Sequence, residues 1–163
     1  MIALSGEELM AWNDKTAERW QKLLEAHEDL LAVPCDVAGV KCIGELMQHI
    51  VAAQLRYAER LAGLPETSYD KIAHDTVAVL FATHTRGVDL LRGMLADPTY
   101  DWSQEIEFST RSMGQLVASR KTIFVHALMH SIRHYAQLAT LVRQHGVKPD
   151  WPMDYLFMGA RRA

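Results

Sequence analysis

The sequence predicts an all-α protein built as a four-helix bundle, and three observations lead to that fold class. Four long segments carry apolar side chains at steps of three and four residues, which is the spacing that lines one face of a helix. The five prolines fall between these segments, where they remove no helical hydrogen bond. The connections are short, as they are in helices that pack side by side around one core. We therefore expect residues 1–163 to form a single domain.

The first two helices follow from their caps and their apolar stripes. Ser5-x-x-Glu8 is a capping-box pattern, in which each side chain satisfies a backbone donor at the start of a helix. The first helix is predicted to end near Pro34, after a stripe formed by Trp20, Leu23, Leu24, His27, Leu30 and Leu31. The second is predicted to end at Gly63-Leu64-Pro65, after a stripe formed by Leu46, His49, Ile50, Ala53, Tyr57 and Leu61.

The third and fourth helices are separated by a segment that lacks the helical pattern of apolar residues. The third is predicted to begin at a cap of Thr67 or Ser68 and to end at Asp97-Pro98. Residues 100–118 alternate in polarity, which favours a long loop or a short hairpin. The fourth helix is predicted to run from Ser119 to His145-Gly146, where the glycine suits a left-handed helix stop. The aromatic tail, residues 151–157, is expected to pack back on the bundle.

Composition and charge exclude several classes of function. The chain has 17 basic and 20 acidic residues and a formal charge of −3, without the clustered cations of a nucleic-acid surface. Cys35 and Cys42 are too few and wrongly spaced for a disulfide framework or a thiolate zinc site. The first residues lack the pattern of a signal peptide, and no apolar run is long enough to span a membrane. We expect a cytoplasmic protein with no membrane or nucleic-acid partner.

Histidine is the residue type with the unusual distribution. Four of the eight histidines lie within residues 126–145, and His126, His130 and His134 follow one another at steps of four on the fourth helix. Side chains four apart lie one above the other, which is the spacing by which two helical histidines hold one metal ion. His126 and His134 are roughly 12 Å apart along the axis, so all three do not readily share an ion. The segment has no H-E-x-x-H, so it lacks the general base of a metalloprotease.

A third ligand would come from another helix, and the residues leave its identity open. His27, His49 and His84 each occupy an apolar-stripe position, although a single histidine there is more simply a hydrogen-bonded core residue. For the pair His130 and His134 a metal is favoured, because it removes the cost of burying several imidazoles together. The alternative is a solvent-exposed histidine stripe. Leu138 and Leu141 argue against it, because they continue the same face of the helix toward the core.

Two segments of the chain resemble the DinB/YfiT superfamily of metalloenzymes. They are Leu46-Met-Gln-His49-Ile-Val-Ala-Ala and Val125-His126-Ala-Leu-Met-His130-Ser-Ile-Arg-His134-Tyr-Ala-Gln137, of which the second is similar to the family motif H-x-x-x-H-x-x-H-H-R-G-Q. The length, the four-helix pattern and the tail extend the resemblance over nearly the whole chain. The resemblance implies that His49, His130 and His134 are the metal ligands, and it prefers His49 to His27 and His84. It also implies a homodimer. The motif has an arginine followed by a glycine where this chain has Tyr135-Ala136. Any role that the family assigns to that arginine therefore has no counterpart at this position.

An open site of three imidazoles predicts chemistry on a small-molecule substrate. Imidazole suits zinc, nickel, iron or copper, of which we expect zinc or nickel. Such an ion lowers the pKa of bound water toward about 7 or deprotonates a thiol. The resemblance implies a low-molecular-weight thiol as cosubstrate, so we expect a metal-dependent hydrolase or a thiol-dependent transferase. His126 is the candidate base, Tyr57 could line the pocket, and Glu45 could support His49, although an exposed glutamate is the simpler role.

Two other classes of function remain open from the sequence. One is a non-enzymatic stress-response bundle whose ion staples the second helix to the fourth, which requires a coordinatively closed site. The other is a helical interaction module that binds no metal.

Overall fold

The structure is a computed structural model that describes residues 3–37, 39–110 and 113–161. Its elements occur in the order helix, hairpin, two helices, hairpin, helix. The helices are α1 (Gly6–Ala26), α2 (Ile43–Leu61), α3 (Val77–Ala96) and α4 (Arg120–Gln144). The strands are β1 (Pro34–Val37), β2 (Val40–Cys42), β3 (Glu105–Thr110) and β4 (Gly114–Ser119). The four predicted helices are present, but the two antiparallel hairpins mean that the fold is not strictly all-α.

The first helix begins as predicted and ends earlier than predicted. The Ser5 hydroxyl accepts from the Glu8 amide, and the Glu8 carboxylate accepts from the Ser5 amide, which completes the capping box. The helix stops at Ala26, because His27 leaves helical geometry and a 3-10 turn follows over Glu28–Ala32. This break places the Glu28 carboxylate 3.1 Å from the Val77 amide, at the start of α3. The predicted single helix to Pro34 is therefore wrong.

The third helix is capped eight or nine residues later than predicted, since the predicted cap was Ser68 or Thr67. Its N-cap is Thr76, whose side chain accepts from the Val79 amide. Thr67 is engaged elsewhere: both its amide and its hydroxyl donate to the Glu59 carboxylate, at 2.7 and 2.6 Å. Residues 66–76 consequently form a loop that is held against α2. The helix ends at Ala96 with Asp97 as its C-cap, in agreement with the predicted end at Asp97-Pro98.

The segment before α4 is a hairpin, one of the two forms predicted for it. Its strands pair antiparallel from Glu105 opposite Ser119 to Thr110 opposite Gly114. Ser119 then caps α4 by accepting from the Thr122 amide, and Gly146 adopts φ +83° after the helix ends. The prediction of α4 is confirmed at both ends.

The core is built around α2, which packs against both α3 and α4. Gly87 allows α3 to approach closely, since a Cβ there would lie 3.0 Å from the Leu55 Cα. The aromatic tail packs back on α1 as predicted, with Trp151 edge-on to the buried Trp20 and the Trp12 indole donating to the Met153 carbonyl. None of the helices in the described ranges has the length and apolar character of a membrane span.

Candidate metal centre

Three histidines from α2 and α4 converge on one point. His130 and His134 stand one turn apart on α4, with ring centroids 4.4 Å apart. His49 on α2 faces both of them, with its centroid 4.9 Å from that of His130 and 4.7 Å from that of His134. One nitrogen of each ring lies within 4.8 Å of the others, a spacing at which the three could hold a metal ion. We call this group the histidine triad.

Helical periodicity explains why the triad lies at the edge of the core. On α4 the side chains of Ala127, Leu128 and Ser131 are buried, so the neighbouring His130 is half-buried and His134 is 2% exposed. His49 is also half-buried, between the buried Gln48 and Ile50 on α2. Within the described ranges, no fourth histidine, cysteine or carboxylate joins the triad. Because His49 and His130 are each partly exposed, the triad reaches the protein surface on one side.

Hydrogen bonds fix the tautomer of His134. Its Nδ1 lies 2.6 Å from Gln137 Oε1, an oxygen that can only accept, so Nδ1 carries the proton. Nε2 then holds the lone pair, which accepts from Arg133 Nη2 at 3.0 Å. A ligand histidine is characteristically oriented in this way, with one nitrogen bonded to an outer acceptor and the other available to the ion.

His130 supplies a second sign that the residues fit a metal. Its Nδ1 is buried and has no hydrogen-bond partner in the described part of the chain. Leaving a buried polar atom unpaired costs about 1–3 kcal/mol. A metal ion is a partner that imidazole nitrogens take readily, and imidazole ligands suit zinc, nickel, iron and copper.

The imidazoles of the triad are held in the neutral form that a metal requires. Burial, reinforced by His134, His49, His126 and Arg133, lowers the pKa of His130 to about 3. Burial and the neighbouring His49 lower the pKa of His134 to about 4, against a smaller opposing effect of Gln137. Burial also lowers the pKa of His49, with a further contribution from Arg133. The site therefore does not need to lose protons at neutral pH before it takes up an ion.

These lowered pKa values predict that the metal-free protein loses stability in mild acid. Between pH 6.5 and about 4, the unfolded chain binds protons on these histidines that the folded chain does not, so the free energy of unfolding falls as the pH falls. We expect a loss on the order of 2 kcal/mol across this window. Chemical denaturation in chelator at several pH values measures it.

A matched pair of variants isolates the contribution of the triad. His130→Asn should flatten the pH dependence, whereas His27→Asn, at an exposed position outside the triad, should leave it unchanged. An identical slope in the wild type and in His130→Asn would contradict the assignment.

The other histidines singled out by the sequence lie outside the triad. His27 is exposed where α1 ends, and its predicted place on a core-facing stripe is wrong because the helix stops there. His84 is buried on α3 and packs edge-on against Phe81, and burial lowers its pKa to about 4. His126 is exposed, with its ring centroid 5.5 Å from that of His130, and it packs edge-on against Tyr57.

Two residues beside the triad were not predicted to act there. Gln137 forms a hydrogen bond with His134. This contact could have been predicted from the sequence, because residues three apart lie on the same face of a helix. Arg133 carries no such signal, because its neighbour in sequence normally points to a different face of the helix. Glu45 accepts from the Lys41 amide at 2.7 Å, so its carboxylate serves the start of α2.

Comparison with known proteins identifies a family. No curated protein matches the chain. The family model described as the DinB family matches residues 1–160.

Proposed function

The chain belongs to the DinB family, and from that premise we propose that it is an enzyme that binds one divalent metal ion through His49, His130 and His134. The observation that carries the proposal is the convergence of three neutral imidazoles, within 4.8 Å of one another, without a fourth described ligand. A closed set of four protein ligands is typical of structural sites, whereas three leave a position for water or substrate. This favours an enzyme over a bundle whose ion only staples α2 to α4.

The reaction proposed is hydrolysis or thiol transfer, with zinc or nickel as the ion. When bound, the ion supplies Lewis-acid activation of a water molecule or a thiol. The protein holds the ligands: Gln137 keeps the proton on His134 Nδ1 and so presents Nε2 to the site. The half-buried positions of His49 and His130 leave one side open for a small molecule and a low-molecular-weight thiol.

His126 is the proposed proton carrier. Its exposed ring stands one turn before His130, close enough to the open side to exchange a proton with solvent. Partial desolvation of the ring and the nearby Arg133 lower its pKa, so a ring nitrogen is free to accept a proton near neutral pH. The same proposal includes the cytoplasmic location expected from the sequence and the homodimer that the resemblance implies.

The proposal is tested by mixing the metal-loaded protein with an electrophile and a panel of bacterial thiols, with and without chelator. Conjugation that needs both the thiol and the metal indicates a transferase, and thiol-independent turnover of an ester or amide indicates a hydrolase. We expect His126→Gln to keep the ion and to lose about 100-fold in rate, the scale of general acid–base catalysis. A protein that binds one ion and catalyses neither reaction would favour the metal-stapled, non-enzymatic alternative.

A further inference from the structure

Arg133 lies beside the open side of the triad and has no acidic partner among the residues that the structure describes. It is exposed on α4, and its one described hydrogen bond joins Nη2 to His134 Nε2 at 3.0 Å. No described carboxylate forms an ion pair with it, in contrast to Arg86 and Arg92, which pair with Glu59 and Asp14. Its positive charge is close enough to lower the pKa of each histidine of the triad and of His126.

The guanidinium and a metal ion compete for the same atom. Because His134 Nδ1 carries the proton donated to Gln137, Nε2 has the single lone pair, and Arg133 occupies it. An ion bound at Nε2 therefore releases the guanidinium from its one described partner. The released group remains tethered one residue from His134, and none of its N–H donors is then engaged by a described residue.

The charge at this place then lacks compensation. Three neutral imidazoles, a guanidinium and a divalent ion together carry three positive charges, and no described carboxylate belongs to the group. Charges this close repel one another strongly at a partly buried site, and an anion between them would remove the repulsion. The fork of N–H donors on arginine matches the paired oxygens of a carboxylate or a phosphate.

We propose that Arg133 and the open side of the triad together form a binding site for a small oxyanion, so that the substrate or cosubstrate carries a carboxylate or phosphate group. The inference rests on the proposed metal site and adds the chemical class of ligand that this site takes. Arg133 is accordingly a specificity-determining residue. Substitution of an arginine that is only solvated at the surface would change neither the metal affinity nor the oxyanion affinity.

The experiment measures two affinities, each independent of catalytic activity. Cobalt(II) is bound to the wild type, and the affinity for the ion and its visible absorption spectrum are recorded. Acetate and inorganic phosphate are then titrated separately, so that the two arms distinguish carboxylate from phosphate. Arg133→Gln removes the charge at an exposed position, and Arg143→Gln, an exposed arginine on the same helix that contacts Thr140, is the matched control.

Arg133→Gln is expected to move the two affinities in opposite directions. It should bind cobalt about three- to tenfold more tightly, since a competing donor and a like charge are gone. It should bind the preferred oxyanion at least about tenfold more weakly, since a charge-assisted fork is lost. Arg143→Gln should change neither, and Arg133→Lys should recover the metal affinity of the wild type while binding the oxyanion weakly.

Three results overturn the inference. The first is an oxyanion affinity unchanged in Arg133→Gln, and the second is an equal loss in Arg143→Gln, which would show a general charge effect. The third is a cobalt spectrum that neither anion perturbs in the wild type. Failure of the proposed metal site, on which the inference rests, is recognised separately, because the wild type would then take up no stoichiometric cobalt.

Discussion

Replacing His130 by alanine is expected to abolish stoichiometric binding of zinc or nickel. His130 lies beside both other rings of the triad, with His134 and His49 at centroid distances of 4.4 and 4.9 Å, so its loss leaves two imidazoles on different helices. Removing a group that only supports a ligand costs 10–100-fold in affinity. Loss of the ligand itself should therefore cost at least about 100-fold. His49→Ala and His134→Ala should behave in the same way.

Elemental analysis and calorimetric titration of each variant measure this effect directly. Thermal denaturation adds an independent readout, because saturation at a hundred times the dissociation constant stabilises the wild type by about 2.7 kcal/mol. For a chain of this length that corresponds to roughly 5–11 °C in Tm, which the alanine variants should not gain. His27→Ala is the control, since that ring is exposed and outside the triad. Loss of the ion in His84→Ala together with its retention in His49→Ala would show that the ligand assignment is wrong.

Replacing Glu59 by alanine is expected to cost about 3 kcal/mol of unfolding free energy, because a buried charge network loses its centre. Glu59 is 2% exposed on α2, and its carboxylate accepts from both the amide and the hydroxyl of Thr67. Arg86 on α3 pairs with the same carboxylate. The substitution leaves a cavity and two unpaired donors on Thr67, and it releases the loop before α3. The corresponding change in Tm is roughly 6–12 °C.

A second ion pair in the same protein provides the control for Glu59. Asp89 pairs with Arg92 at the surface, where both side chains are more than half exposed. Asp89→Ala should change the unfolding free energy by no more than about 0.5 kcal/mol in the same urea titration. Similar losses of unfolding free energy in the two variants would contradict the expectation that burial makes the Glu59 network more stabilising than a surface ion pair.

The start of α1 and both ends of α4 were predictable because neighbouring residues specify them. Capping by Ser5 and Ser119 and the left-handed Gly146 depend on a few neighbouring residues, and the structure has all three as predicted. The start of α3 was not predictable in this way. Thr67 is a good capping residue by type, but the Glu59 carboxylate takes its donors, and that contact depends on how α2 and the loop pack.

The short hairpin of β1 and β2 also escaped prediction. Its strands span only Pro34–Val37 and Val40–Cys42, and their side chains alternate between exposed and half-buried rather than between exposed and buried. Periodicity is a weak signal in strands of three or four residues. The turn glycine, Gly39 with φ +76°, is the one local mark of the reversal.

In the candidate site too, contacts set by local spacing were predictable and contacts set by tertiary packing were not. The pairing of His130 and His134 is a property of helical spacing, so the residues alone predicted it. The choice of His49 over His27 and His84 came from the family resemblance, because periodicity places a side chain on a face but does not say which faces meet. The structure brings His49, and neither of the others, to the pair. The contact between Arg133 and His134 depends on the conformation of one long side chain, which the spacing of residues along a helix does not specify.

The division of the triad between two helices also bears on how the protein is assembled. One turn of α4 is enough to place His130 and His134 together, so an isolated or undocked α4 already presents a two-imidazole site. His49 comes from far earlier in the chain and reaches the pair only when α2 packs against α4. Tight metal binding thus reports tertiary docking rather than helix content. A partly folded chain that retains its helices should release the ion before it loses its helical circular dichroism.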